Sequence, residues 1–275
     1  MGRVTRRGQI TKFRTDGTVT KREDVLAGEE PLEIRVGGRS FTVTMRTPGD
    51  DFDLVAGFLV SEGIIWEPGQ LVSLRYCAGV DDSGQQTFNV VDVQLRPGTA
   101  LPDTTMERHV YTSSSCGICG TASIEAVRKS SHFSVGDDDV RVPLRILAGL
   151  PEQLRQKQKV FDRTGGVHAA GLFTVQGELL CLREDVGRHN AVDKVVGWAL
   201  RAGMLPLRGT VLQVSGRASF ELVQKAQLAG IPVLAAVSAP SSLSVELAQD
   251  AGMTVVGFSR GTSLNCYSYP ERILA

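Results

Sequence analysis

Two cysteines stand two residues apart in SSSCGICGTAS, residues 113–123, among glycines and hydroxyl side chains. Three chemistries use such a pair. A structural zinc site needs four ligands, and this pair supplies half of them. The chain has no second C-x-x-C and no H-x(3–5)-H, so a closed site would need distant partners such as His168. A dithiol redox pair should end a strand and open a helix within a βαβ unit. The pair does precede a helix-forming stretch near 121–129, but no βαβ pattern follows closely. The third chemistry is a nucleophilic thiol on a loop freed by Gly117 and Gly120. A helix N-terminus behind it would draw the thiol from about 8.5 toward roughly 3.5–7.5. On residue chemistry alone the redox and nucleophile readings of Cys116 and Cys119 stand level, ahead of metal, and no resident metal is expected.

A second group of polar residues recurs after successive apolar runs: Arg183 to Asn190 with Arg188 and His189, then Ser215, Gly216 and Arg217, then Ser238 to Ser242, then Ser259, Arg260, Gly261, Thr262 and Ser263. Guanidinium groups bind phosphate bidentately and glycine lets backbone approach it, so the concurrence predicts a nucleotide-like ligand. Each loop taken singly reads as ordinary polar surface. His168, in GGVHAAGLF, reads as a satisfied, half-buried histidine, and His109 and His132 as exposed ones.

These loops need elements to hold them. From residue 189 onward the pattern is regular: helix 189–202, strand TVLQVS, helix 218–229, strand PVLAAVS, helix 242–251, strand MTVVGF. Such alternation predicts an α/β fold with a mixed, mainly parallel sheet and helices on both faces. Ligands of such sheets bind beyond the strands' carboxyl ends, where the polar loops fall. Upstream lie a hairpin around Gln176-Gly177 and a helix near 144–158. Earlier still, LEIRV and SFTVTM flank Gly37-Gly38 as a hairpin, a helix spans about 51–62, and LVSLRYCA and TFNVVDVQL read as strands. The division expected is a flexible basic tail over 1–27, a small β-rich α+β domain over 28–105, and the α/β domain over 106–275 with the cysteine loop near its start.

Thirty basic side chains balance thirty acidic ones, so no overall field favours nucleic acid or an anionic membrane. No apolar run approaches the roughly 18 residues of a membrane span, and no signal-peptide core follows the N-terminal basic residues. Five cysteines make an odd count, which argues for reduced thiols and a cytoplasmic protein.

SSCGICG, GGVHAAGLF, EDVGRHNAVDKVVGWAL, the long stretch SGRASFELVQKAQLAGIPVLAAVSAPSSLSVELAQDAGMTVVGF and the closing SRGTSLNCY together resemble the FdhD family. TPGDDFDLVAGFLVSEGII matches that family's N-terminal signature. The resemblance implies a cytoplasmic homodimer that accepts sulfur from a cysteine desulfurase as a persulfide. The sulfur would pass to the molybdenum cofactor, a bis(molybdopterin guanine dinucleotide), for formate dehydrogenase. It places the persulfide on Cys116, with Cys119 as companion, and cofactor binding on Phe258 to Ser263. Glu184, Asp185 or Asp193 could accept guanine N–H groups. The fold implied is cytidine-deaminase-like, with His189-Asn190-Ala191 and Ser215-Gly216-Arg217-Ala218 where zinc deaminases carry metal ligands. A cofactor-binding chaperone without catalysis is the alternative.

Overall fold

The computed structural model describes residues 4–77, 79, 87–101 and 129–275. The first segment departs from expectation. In place of a flexible tail, β1 (Thr5–Phe13) and β2 (Val19–Ala27) pair antiparallel as a long ribbon. Its signal is local: β-branched residues recur on both sides of Asp16-Gly17, Gly17 takes φ 85°, and Asp16 Oδ1 accepts from Thr18 N at 2.9 Å. Basic composition had masked that pattern.

Next, β3 (Glu30–Val36), β4 (Arg39–Arg46), β5 (Leu71–Tyr76) and β6 (Val90–Leu95) form a sheet in the order β4-β3-β6-β5. Helix α1 (Asp51–Ser61) packs on it. The turn into α1 is fixed by Arg46, fully buried, whose Nε and Nη2 reach Asp51 Oδ1 and Oδ2 at 2.9 and 3.1 Å. Tyr76 donates to the same carboxylate at 3.0 Å.

The larger sheet runs β13-β12-β11-β10-β8-β9. It comprises β8 (His168–Thr174), β9 (Leu179–Asp185), β10 (Thr210–Val214), β11 (Val233–Ala236), β12 (Thr254–Arg260) and β13 (Ser263–Ser268). Only β10, β11 and β12 run parallel; the pairings β8–β9, β8–β10 and β12–β13 are antiparallel. The sheet is therefore mixed with a parallel centre rather than mainly parallel. The closing SRGTSLNCY supplies the unexpected strand β13. Helices cover both faces as expected. α2 (Leu144–Lys157) places Leu147, Leu150 and Leu154 against Ala169, Phe173, Val211, Val233 and Val256. α4 (Arg188–Arg201), α5 (Phe220–Leu228) and α6 (Ser242–Ala251) cover the opposite face, where Leu172, Leu212, Leu234 and Val255 point. A short helix α3 (Lys159–Thr164), unforeseen, follows α2. Strands β7 (Val142–Pro143) and β14 (Ile273–Leu274) pair as a small parallel sheet.

The boundary expected near residue 105 lies outside the described residues. On either side of it, the two units share one apolar core, from Leu32 and Leu54 through Val192 and Val196 to Leu212 and Leu234. Two glycines make this possible. A Cβ on Gly57 would sit 1.8 Å from Asp193 O, and one on Gly197 would sit 1.8 Å from Asp53 O. α1 and α4 thus cross backbone to backbone, and only glycine fits at either position.

Candidate functional site

A cleft of about 710 Å³ opens beyond the carboxyl ends of β10, β11 and β12, where Ser215, Val237 and Ser259 follow or end these strands. Its other walls are α2, α3 and the Gly165–His168 entry to β8. The predicted residues Ser215, Ser259, Arg260 and Gly261 line it; Arg155, Gln158, Phe161, His168 and Gln213 join them without having been singled out as ligands. Phe258, Thr262 and Ser263 lie on the adjoining β12–β13 hairpin, while Arg188, His189, Gly216 and Arg217 flank the cleft without lining it.

The cleft's shape follows from a proline. Pro151 lies inside α2 and has no N–H to give to the carbonyl four residues back, Leu147 O. Ser259 Oγ, fully buried, donates to that freed oxygen at 3.0 Å and ties the end of β12 to α2. Ser259, expected as a ligand, thus spends its proton on the scaffold. Around it the register shifts between Gly257 and Arg260, and Phe258 adopts φ 51° and is 41 % exposed. This bulge aims the Arg260–Gly261 turn at the cleft.

Alternation along β10 explains Gln213. Val211 and Gln213 face α2 while Leu212 and Val214 face the helices opposite, so a fully buried amide occupies an apolar position. Its Nε2 donates to Val214 O at 2.9 Å, and its Oε1 has no partner. A buried acceptor without a donor costs roughly 1–3 kcal/mol, which a ligand N–H could recover. A polar residue within a five-residue buried strand was the sequence signal for it.

At the N-termini of α4 and α5 a second polar cluster sits beside the cleft. Ser215 locks the start of β8, with Ser215 N donating to Ala169 O at 3.0 Å and Ala169 N to Ser215 Oγ at 2.9 Å. A Cβ on Gly216 would lie 3.7 Å from His168 Nδ1, so the imidazole rests on this turn. His168 is pushed below its ordinary range by burial, then by Arg188 and His189, against the pull of Asp185. Burial likewise lowers His189, outweighing Glu221, whose Oε2 lies 3.8 Å away. Burial alone would raise Glu221, but the His189 imidazole, its own backbone N–H and the neighbouring Ser219 bring it down to about 2; at 3.8 Å His189 Nε2 makes no hydrogen bond, and it and Ser219 Oγ are buried without a hydrogen-bond partner among the described residues. At neutral pH, therefore, Glu221 is charged and both histidines are neutral.

The carboxylates expected to read guanine are committed elsewhere. Glu184 accepts from Val160 N and Phe161 N at 2.8 Å, starting α3. Asp185, fully buried, accepts from Thr47 N, Gly187 N and Asn190 Nδ2 and pairs with Lys194 at 2.8 Å. Asp193 accepts from Ser61 Oγ and pairs with Lys225 at 2.7 Å. Their roles are to hold β9, α1, α4 and α5 together.

Cys116 and Cys119 lie outside the described residues. The chain re-enters at Lys129, which donates to Ser61 O and pairs with Glu62, both at 2.9 Å, at the end of α1. Burial pushes the Cys181 thiol up to about 12 and raises Cys266 too, so neither is a thiolate at neutral pH. Among the described residues no cluster of three metal-ligating side chains occurs, and no helix is long and apolar enough to cross a membrane.

Comparison with known proteins now bears on this arrangement. A profile of the FdhD/NarQ family matches residues 27–274. The sulfur carrier protein FdhD of Streptomyces avermitilis is 60 % identical over 274 residues, covering 99 % of this chain and 97 % of that one. Its namesake from Sulfolobus acidocaldarius is 42 % identical over 268 residues, covering 98 % of each. A crystal structure from Desulfotalea psychrophila, described as a formate dehydrogenase accessory protein, superposes with a TM-score of 0.75 at 25 % identity, covering 99 % of this chain and 100 % of that one. The chain belongs to the FdhD/NarQ family.

Proposed function

We propose that this protein carries sulfur from a cysteine desulfurase to the molybdenum cofactor destined for formate dehydrogenase. The observation that carries the reading is the cleft at the carboxyl ends of β10–β12, in a chain whose relatives are named sulfur carrier proteins. Its residues suit a nucleotide arm of that substrate. Arg260 offers a guanidinium group to pyrophosphate, Arg155, whose Nη1 pairs with Asp162, keeps its other N–H groups for it, Gly165, Gly166 and Gly261 let backbone approach, and Gln213 Oε1 awaits an N–H donor. The cleft falls within the roughly 300–1,000 Å³ of small-ligand sites, a size for one nucleotide arm. A homodimer would offer a second cleft to the second arm. The order of hairpin, α4, β10, α5 and β11 supports a cytidine-deaminase-like reading. In it His189 and Ser215-Gly216-Arg217 stand in the former metal crevice and flank the cofactor.

Transfer proceeds in two steps. The Cys116 thiolate attacks the terminal sulfur of the desulfurase persulfide; a new S–S bond forms at Cys116 and the desulfurase cysteine departs as thiolate. The Cys116 S–S bond then breaks toward the protein, Cys116 keeps the bonding pair and leaves as thiolate, and the sulfur becomes sulfide on the molybdenum, which gives up two electrons. Cys119 shields or resolves the persulfide, and the protein works in the cytoplasm. The test follows radiolabelled sulfur from cysteine, through the desulfurase, to this chain and then to cofactor-loaded dehydrogenase. Label should reach the dehydrogenase only through an intact Cys116; label arriving equally with Cys116→Ala sinks the reading and leaves the chaperone alternative.

A further inference from the structure

The β1–β2 ribbon carries little of its own cover. Pairing runs from Thr5↔Ala27 to Phe13↔Val19, and residues 11–23 are all exposed. An isolated two-stranded hairpin is marginal in water, and this one is braced at its base. Arg6 pairs with Glu30 at 2.7 Å, Arg163 Nη2 donates to Thr5 Oγ1 at 3.2 Å, and a Cβ on Gly166 would touch the Ala27 Cβ at 3.4 Å. That bracing segment, α3 to Gly166, is one wall of the cleft. At about 3.3 Å per residue, the strands carry the tip roughly 25–30 Å from the wall.

The tip has a definite chemistry. Phe13 is 74 % exposed and Val19 is 55 % exposed; they are direct cross-strand partners, so their side chains stand together on one face. Around them Lys12, Arg14 and Lys21 make no ion pair among the described residues, whereas Arg6, Arg7 and Arg22 nearer the base pair with Glu30, Glu23 and Asp24. Asp16, the sole acid from residue 11 to 22, is tied into the turn. An apolar pair ringed by free cations complements an apolar pocket rimmed by carboxylates. Nucleic acid fits less well: three cations on a chain of zero net charge give weak phosphate binding, and the apolar pair would go unused. The ribbon also precedes the span matched by the family profile, which begins at residue 27.

We infer that the ribbon is a docking arm whose tip engages a carboxylate-rimmed apolar pocket on the protein that receives the cleft's cargo. The inference rests on the function proposed above: the receiving protein is the one that must come to the cleft mouth. The test uses the full chain and cofactor-free formate dehydrogenase in a surface-binding assay at low and high salt. The triple variant Lys12→Glu, Arg14→Glu, Lys21→Glu should weaken binding at least about tenfold at low salt, chiefly through slower association. Phe13→Ser should speed dissociation. Both variants should melt like the parent, because every altered side chain is exposed, and both should accept sulfur from the desulfurase as the parent does. Unchanged dehydrogenase affinity in both variants overturns the inference, as does a loss confined to desulfurase, duplex DNA or self-association. If the parent chain accepts sulfur yet binds no dehydrogenase, the docking arm falls while sulfur acceptance stands. If it accepts no sulfur, the functional reading itself has failed.

Discussion

Replacing Asp185 by asparagine separates a scaffold role for the EDVGRHN motif from a ligand-binding one. The carboxylate accepts from Thr47 N at 3.0 Å and Lys194 Nζ at 2.8 Å through Oδ2, and from Gly187 N at 2.8 Å and Asn190 Nδ2 at 3.0 Å through Oδ1. An amide keeps the shape, but either orientation turns an N–H toward existing donors. It also strips the counter-charge from Lys194, whose side chain is 1 % exposed and whose remaining contact is Thr47 O at 2.9 Å. Breaking a buried pair on one side costs roughly 3–5 kcal/mol, a large share of a typical 5–15 kcal/mol stability. With a urea slope of about 3 kcal/mol/M, the unfolding midpoint should fall by about 1.3 M. Adding Lys194→Met should restore part of that loss by removing the stranded charge. The drop should be the same with or without a guanine nucleotide, because Asp185 is fully buried and does not line the cleft. A midpoint shift below about 0.3 M, or a loss seen only with nucleotide present, would refute the scaffold role.

Three further outcomes follow from the same geometry. Gly57→Ala places a methyl 1.8 Å from Asp193 O and must push α1 off α4; overpacking of roughly 1–3 kcal/mol should lower the melting temperature by about 2–5 °C in calorimetry, and an unchanged melt would mean the helices do not touch there. Gln213→Leu removes an orphaned acceptor, so the free protein should be as stable or slightly more stable, while, on the proposed reading of the cleft, thermal protection by added GDP should be weaker than in the parent; protection equal to the parent's would remove Gln213 from the site. Glu221 is brought down to about 2 from 4.5, so its contribution is complete above pH 4.5 and is lost as pH falls through about 2. Acid unfolding of Glu221→Gln should therefore be shallower between those values, and an unaltered acid limb would contradict the pairing.

Much of the α/β unit was legible because its signals are local. β10 to β12 are short apolar runs, and α4 to α6 carry the 3.6-residue period between glycine stops, so their order, and the strand ends at which the cleft opens, could be read directly. Antiparallel neighbours left no such trace: nothing within GGVHAAGLF says that β8 lies against β10, and β13 was hidden in a polar stretch. The ribbon was missed because charge drew attention away from the alternation around Asp16-Gly17. Glu184, Asp185 and Asp193 looked like ligands because buried polar networks and binding sites use the same residues; only the third dimension shows them already committed to Val160 and Phe161 N–H, Lys194 and Lys225. Gln213 had the reverse problem, an amide in a strand whose lack of a partner no sequence reveals. Ser259, read as a ligand, lines the cleft but spends its hydroxyl on the scaffold, since the carbonyl it satisfies is freed by Pro151, over a hundred residues earlier.

The central claim is that Cys116 carries the sulfur. Intact-mass measurement of the protein after incubation with a cysteine desulfurase and cysteine tests it most directly, with Cys116→Ala and Cys119→Ala alongside. The parent chain and Cys119→Ala should each gain one reducible sulfur atom, and Cys116→Ala should gain none. A gain that survives in Cys116→Ala, or no gain in the parent chain, would contradict the account.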